Sequence, residues 1–221
     1  MIKLLYTIEV EPYDYTENEY KSPRTSKIET PEAWAGFWYE CISDSNLQNL
    51  KPIETGSYFI EISKIGDAEL KIILQNQLKE IDLSDFEEYL VQLCGGVVII
   101  DTDTDKVIIE PSCCGDMSDI KNWESIEFSE LNKWNHLWIG HPWVFYKKTE
   151  EHISFSDYTD YNLEEFKNIS EIYRFPEQEL ISQIKEIRKN HDNFDTRIKR
   201  NLIEMGIDNA EGIAKLMTGN D

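Results

Sequence analysis

Between Ser84 and Glu110 the chain changes its period within a few residues, and that change limits the folds open to it. Ser84-Asp-Phe-Glu87 has the capping-box pattern, in which the Ser side chain accepts from the third residue's N–H and the Glu reaches back. Phe86, Tyr89, Leu90, Leu93 and Cys94 fall on one helical face, which predicts a helix ending near Cys94. Gly95–Gly96 supplies its stop, because glycine enters the left-handed region without a Cβ clash. Val97–Asp101 and Val107–Glu110 then read as strands joined only by Thr102–Lys106. So short a link returns the second strand antiparallel to the first, since a parallel partner needs a longer crossover. A helix beside an antiparallel hairpin is the signature of an α+β fold.

The flanking segments extend that picture. Residues 2–10 read as a strand, and 11–32, with Pro12, Pro23 and Pro31, as a long loop. The apolar block 33–42 suits a helix, with Trp34, Trp38 and Cys41 on one face, and suits a strand equally. Residues 57–63 read as a strand. Gly66–Asp67 then reads as a turn leading to a returning strand at 69–75. A helix through Leu70, Ile73, Leu74 and Leu78 is the alternative. Residues 119–126 suggest a short helix presenting Ile120 and Trp123. Residues 143–148 and 152–156 suggest paired strands, with Ile153 and Phe155 facing one way and His152, Ser154 and Ser156 the other. From about residue 160 the period turns helical. Leu180, Ile181, Ile184 and Ile187 predict one helix, and Phe194, Ile198, Leu202 and Met205 another that ends at Gly206. Asp208-Asn-Ala-Glu211 caps a last short one. The expected architecture is α+β: a mostly antiparallel sheet with packed helices and a helical C-terminal region. It divides into an acidic body, residues 1–165, and a helical region, residues 166–221, packed on it.

Charge separates these two parts. Residues 1–165 carry 33 Asp/Glu and 13 Lys/Arg, whereas residues 166–221 carry 10 and 9. Such a body repels nucleic acid and anionic membranes and attracts basic proteins. With six Trp and nine Phe the chain has the rings to build a core, so it is not a disordered acidic tail. The basic stretch Arg188, Lys189, Arg197, Lys199 and Arg200 is interrupted by Asp192, Asp195 and Glu204. It reads as offsetting the acidic body, not as a nucleic-acid site. The brief apolar run at residues 1–6 does not read as a signal peptide, and no window is long enough to span a membrane. Four Cys in a chain of this length do not suggest a disulfide scaffold, and the cytoplasm is the expected location.

Three clusters invite chemistry. Asp101, Asp103 and Asp105 alternate as calcium ligands do, but the sixth position of an EF-hand loop needs Gly where Lys106 stands, and the twelfth needs Glu where Ser112 stands. They are expected to form an acidic hairpin turn. Cys113, Cys114, His136 and His141 have the donor types of a zinc set without its spacing, so no metal and no cofactor is expected. The same four serve a Cys–His nucleophilic site, in which a His takes the proton of an exposed thiol. Trp134, His136, Trp138, His141 and Trp143 recur over ten residues. Such rings either pack into a core or anchor an interface, where desolvated Trp contributes strongly. There is no P-loop, dinucleotide fingerprint, nucleophile elbow or H-E-x-x-H.

Two functions remain in view. The first is an acidic protein-binding module for a basic partner, with Trp134, Trp138, Trp143, Asp101, Asp103 and Asp105 as interface residues. The second is a small cytoplasmic enzyme using Cys113, Cys114, His136 and His141. In size, acidity and aromatic content the chain resembles the immunity proteins that neutralise bacterial nuclease toxins. That resemblance implies an inhibitor of a basic partner and assigns no site residues.

Overall fold

Strand β1 (Ile2–Glu9) is buried on both faces from Leu4 to Ile8, which explains why IKLLYTIEV shows no clean alternation. A computed structural model describes residues 1–220. It is α+β, with two antiparallel sheets and six α-helices, the last two forming a C-terminal pair. The described residues form two compact units: residues 1–6 with 94–191, and residues 7–93 with 192–220. Among the described residues no helix is long and apolar enough to cross a membrane.

In the first unit, Ile2–Tyr6 of β1 is followed across the sheet by β3 (Gly95–Asp101) and β4 (Lys106–Ile109). The predicted hairpin is present: β3 and β4 are antiparallel, with Asp101 opposite Lys106 and a bulge between Ile99 and Ile100. The helix expected before it is not. Helix α3 spans only Phe86–Tyr89, and Leu90 is already extended. Asp82 competes for the cap: its carboxylate accepts from Ser84 N at 2.9 Å and starts a 3-10 turn at Leu83–Asp85. Beyond Leu90 the backbone finds another acceptor, with Leu93 N donating to Met217 O at 2.8 Å. Gly95–Gly96 therefore opens a strand and does not close a helix.

A second sheet is a meander of β5 (Trp134–Leu137), β6 (Val144–Lys148), β7 (His152–Phe155) and β8 (Tyr173–Pro176). Strand β8 lies where a helical period was expected, because only Phe175 of its four residues is buried and no apolar alternation marks it. Trp123 of α4 (Ile120–Ser125) is fully buried, its ring 5.9 Å from that of Phe155.

In the second unit, β2 (Phe59–Glu61) pairs with Thr7–Glu9 of β1. The block at 33–42 is helical: α1 (Pro31–Ser43) buries Phe37, Trp38, Cys41 and Ile42, and Trp38 Nε1 donates to Val10 O at 2.8 Å. The returning strand expected at 69–75 is also a helix, α2 (Asp67–Leu78). It buries Leu70, Ile73, Leu74 and Leu78 on one face while Ile72, which alternation would bury, stays half-exposed. Asp44 organises the loop before α1. It accepts from Glu17 N, Asn18 N, Asn18 Nδ2, Thr16 Oγ1 and Tyr20 Oη. Desolvation opposes its ionisation, but these donors, led by Glu17 N–H, hold its pKa down to about 2.

The two helices predicted near the C-terminus are one, α5 (Glu177–Glu204). Its stripe is continuous because His191, fully buried, fills the step between Ile187 and Phe194. A polar residue type hid that step from the pattern. Helix α6 (Ala210–Thr218) follows the Gly206 turn. The basic stretch is paired with acids: Arg188 with Glu124, Lys189 with Glu186, Lys199 with Glu211, and both Arg197 and Arg200 with Asp67.

Candidate functional site

Residues opposite one another in an antiparallel pair share a face, so the register of the second sheet sorts its side chains. Leu137, Val144, Tyr146, Ile153, Phe155 and Phe175 line the buried face. Trp134, His136, Phe145, Lys147 and Ser154 line the other. On that second face the rings gather. The His136 ring lies 4.8 Å from Trp143 and 6.2 Å from both Trp138 and Phe145, while Trp138 and Trp143 are 5.7 Å apart. Lys147 Nζ sits 5.1 Å over the Trp134 ring. The three tryptophans are half-buried and His136 is exposed at its edge. Desolvation by the surrounding rings lowers the His136 pKa, which favours the neutral imidazole. The indole N–H of Trp143 is buried and meets no acceptor.

The connection 157–172 folds back over one end of this face. Phe166 packs edge-on against Phe145 at 5.6 Å, and Ile172 N donates to Phe155 O at 2.8 Å. Ser154 and Ser156 are buried as a result, against the expectation of alternation. Ser156 Oγ accepts from Phe145 N and donates to Asp157 O, and Ser154 Oγ donates to Glu171. This connection holds Asp157, Asp160, Glu164, Glu165 and Glu171 against a single Lys167. Glu171 is engaged by Lys147, which lowers its pKa with help from Ser154. The other four acids are exposed. A cleft of about 410 Å³ opens here, lined by Phe145, Asp157, Tyr161, Phe166 and neighbours.

Two loops clasp each other at the edge of the ring cluster. Ser112 N donates to Ile139 O at 2.8 Å, and His141 N donates to Cys113 O at 2.7 Å. The approach is close enough that a Cβ on Gly115 would lie 2.6 Å from Ile139 O, and one on Gly140 would lie 2.4 Å from Ser112 O. Gly140 also has φ +101°, and Cys114 takes the left-handed φ of +67° that few non-glycine residues adopt. The clasp exposes Cys113 and Cys114, with their sulfurs 3.5 Å apart. His141 Nε2 lies 3.3 Å from Asp160 Oδ1. Beneath, Asp119 is buried and accepts from Asp116 N and from Asn122 Nδ2, which also donates to Trp138 O. Burial pushes the Asp119 pKa up to about 7, with the Asp116 N–H opposing and the Asp116 charge adding.

The structure thus brings Trp138, Trp143, His136, His141 and Cys113–Cys114 into one region, with Trp134 further along the same sheet face. Asp101, Asp103 and Asp105 form their own turn. Asp101 accepts from Asp103 N and Thr104 Oγ1, and Asp103 lies 3.0 Å from the Met1 ammonium. Asp101 also borders a larger cleft of about 670 Å³, whose lining mixes Lys106 and Arg174 with Glu179 and so selects no sign of charge. Among the described residues, no three His, Cys, Asp or Glu side chains are grouped to hold a metal ion. Asp119, Asp160 and Phe166 escape sequence reasoning because they join the site from segments outside the Trp/His run, Asp119 from the start of α4 and the other two from the connection 157–172. Gly115 and Gly140, flanking the thiols and His141, were its available signal. Neither a family model, nor a curated protein, nor a solved structure matches the chain.

Proposed function

We propose that this chain is a protein-binding module that docks a basic partner on the ring face of β5 and β6. The observation that supports the reading is the cluster of half-buried Trp138 and Trp143 with exposed His136, bordered by four exposed carboxylates, Asp157, Asp160, Glu164 and Glu165. Half-buried rings are already ordered, so a partner gains their remaining apolar area at low entropic cost. The carboxylates attract cations, and indole faces bind Lys and Arg heads. The cleft beside Phe145 and Phe166 suits the apolar stem of such a side chain, with Asp157 at its charged end. A neutral His136 adds no repulsion. An inhibitor of the immunity type is the most concrete version of this role.

The test is affinity capture from the native cell at low and moderate salt, with the wild type and a Trp138→Ala/Trp143→Ala variant. The expected result is a basic protein retained by the wild type and lost by the variant. A second reading, a small enzyme, draws on the Cys113–His141 backbone bridge and the His141–Asp160 contact. It is favoured by capture of a small neutral molecule and no protein.

A further inference from the structure

We propose that Cys113 and Cys114 form a dithiol site that hydroperoxides oxidise to a disulfide between adjacent residues. Independently of any binding partner, the proposal stands on three features of the clasp. Both thiols are exposed, and their sulfurs face each other at 3.5 Å. Backbone freedom is withheld around them: Cys113 O is tied to His141 N, Gly115 N to Ser112 O, and Cys114 is held at φ +67°. Positions with such backbone strain persist only where their surroundings enforce them, and they concentrate at functional sites. An acid–base group stands beside the pair. The antiparallel bridge between Cys113 and His141 puts their side chains on one side, with Cβ atoms about 5 Å apart, and Asp160 orients the imidazole from its Nε2 edge.

The two sulfurs are not equivalent. The Cys113 sulfur, as hydrogen-bond partner and nearby charge, raises the Cys114 pKa, and Cys113 is the one bridged to His141. Cys113, with His141 opposite it, is therefore the sulfur that attacks the hydroperoxide as the thiolate. The O–O bond breaks, the alcohol leaves after taking a proton, and Cys113 becomes a sulfenic acid. The Cys114 sulfur then attacks Cys113, the S–O bond breaks, and hydroxide departs with the Cys114 proton as water. Two thiols lose two electrons and two protons, and the hydroperoxide is reduced to one alcohol and one water. In the proposed step His141, opposite Cys113 in the bridge, supplies the proton to the first leaving group. Cys41, buried in α1, is shielded, and Cys94 is exposed between Leu93 and Gly95.

The experiment treats the reduced protein with limiting hydrogen peroxide and reads each cysteine by alkylation and peptide mass. The peptide holding residues 113 and 114 should lose two hydrogens, recover them with dithiothreitol, and react at least about tenfold faster than Cys94. Cys114→Ser should stop at a Cys113 sulfenic acid that a cyclic diketone traps. Cys113→Ser should leave Cys114, which is not the residue bridged to His141, about tenfold less reactive than Cys113 is in Cys114→Ser. The proposal is overturned if Cys94 oxidises as fast as the pair, if the two serine variants react alike, or if the peptide gains oxygen without losing hydrogens.

Discussion

The acidic turn at residues 101–106 and the ring face of β5 and β6 are both dense in functional residue types, yet they spend their side chains differently. In the turn, Asp101 is consumed by Asp103 N–H and Thr104, and its pKa is lowered first by that backbone donor. Asp103 meets the Met1 ammonium. These carboxylates close a hairpin. On the ring face, three indoles remain half-buried, an indole N–H has no acceptor, and two loops are held at a spacing that only glycine permits. A cluster whose polar groups satisfy one another is explained by folding alone. A cluster that keeps apolar area exposed, on a backbone forced into place, is what the proposed docking role needs.

The contrast breaks most visibly in tryptophan truncations. Trp123 is wholly core, so Trp123→Ala should destabilise the chain by about 3–5 kcal/mol. Trp138→Ala should cost about 1 kcal/mol in stability, near the centre for point substitutions, and act mainly on binding. Urea unfolding of both variants measures this. Equal losses would make Trp138 a core residue and remove the anchor.

Next in size is the clasp. Gly140→Ala places a methyl 2.4 Å from Ser112 O at a φ of +101°, so the two loops must part. A loss of about 3 kcal/mol is expected from strain and broken hydrogen bonds. Amide exchange should localise the opening to residues 112–115 and 139–143. Protection unchanged there would mean that the clasp is not held by this contact.

The last effect is a pH slope. Asp119 has a folded pKa of about 7 against about 3.9 for an unfolded Asp. Its raised value means the folded state holds a proton that the unfolded state has released. The stability tied to that proton is complete below about 4 and is lost as pH rises through about 7. Unfolding midpoints should fall across that window, and more steeply in the wild type than in Asp119→Asn. Parallel slopes would assign the whole dependence to repulsion among the other acids.

How far such a site is legible in a sequence follows from where its parts come from. The hairpin at 97–110 was readable because its strands, link and turn acids are contiguous. The Trp/His segment announced itself by density, but whether its rings face the core depends on the pairing of Trp134 with Lys147 and of His136 with Phe145. No local pattern contains that register. Helix α2 was misread because Leu70, Ile72 and Leu74 alternate, although only Leu70 and Leu74 belong to the helical stripe with Ile73 and Leu78. Helix α5 was divided because its buried His191 looks polar. Asp160 reaches His141 only through the fold-back of 157–172, which has no periodic signature.

In the proposed role the ring face binds a basic protein, with carboxylates steering and indoles anchoring. Stopped-flow association with the captured partner, run from low to moderate salt, tests it most directly. At physiological ionic strength the screening length is about 8 Å, so the wild-type association rate should fall sharply with salt. Asp160→Asn/Glu164→Gln/Glu165→Gln should lower the association rate and flatten that dependence. Trp138→Ala should leave association nearly unchanged and speed dissociation, by about 30-fold if it costs 2 kcal/mol of binding. Rates indifferent to salt in the wild type, or a Trp138→Ala variant that dissociates like it, would contradict the claim.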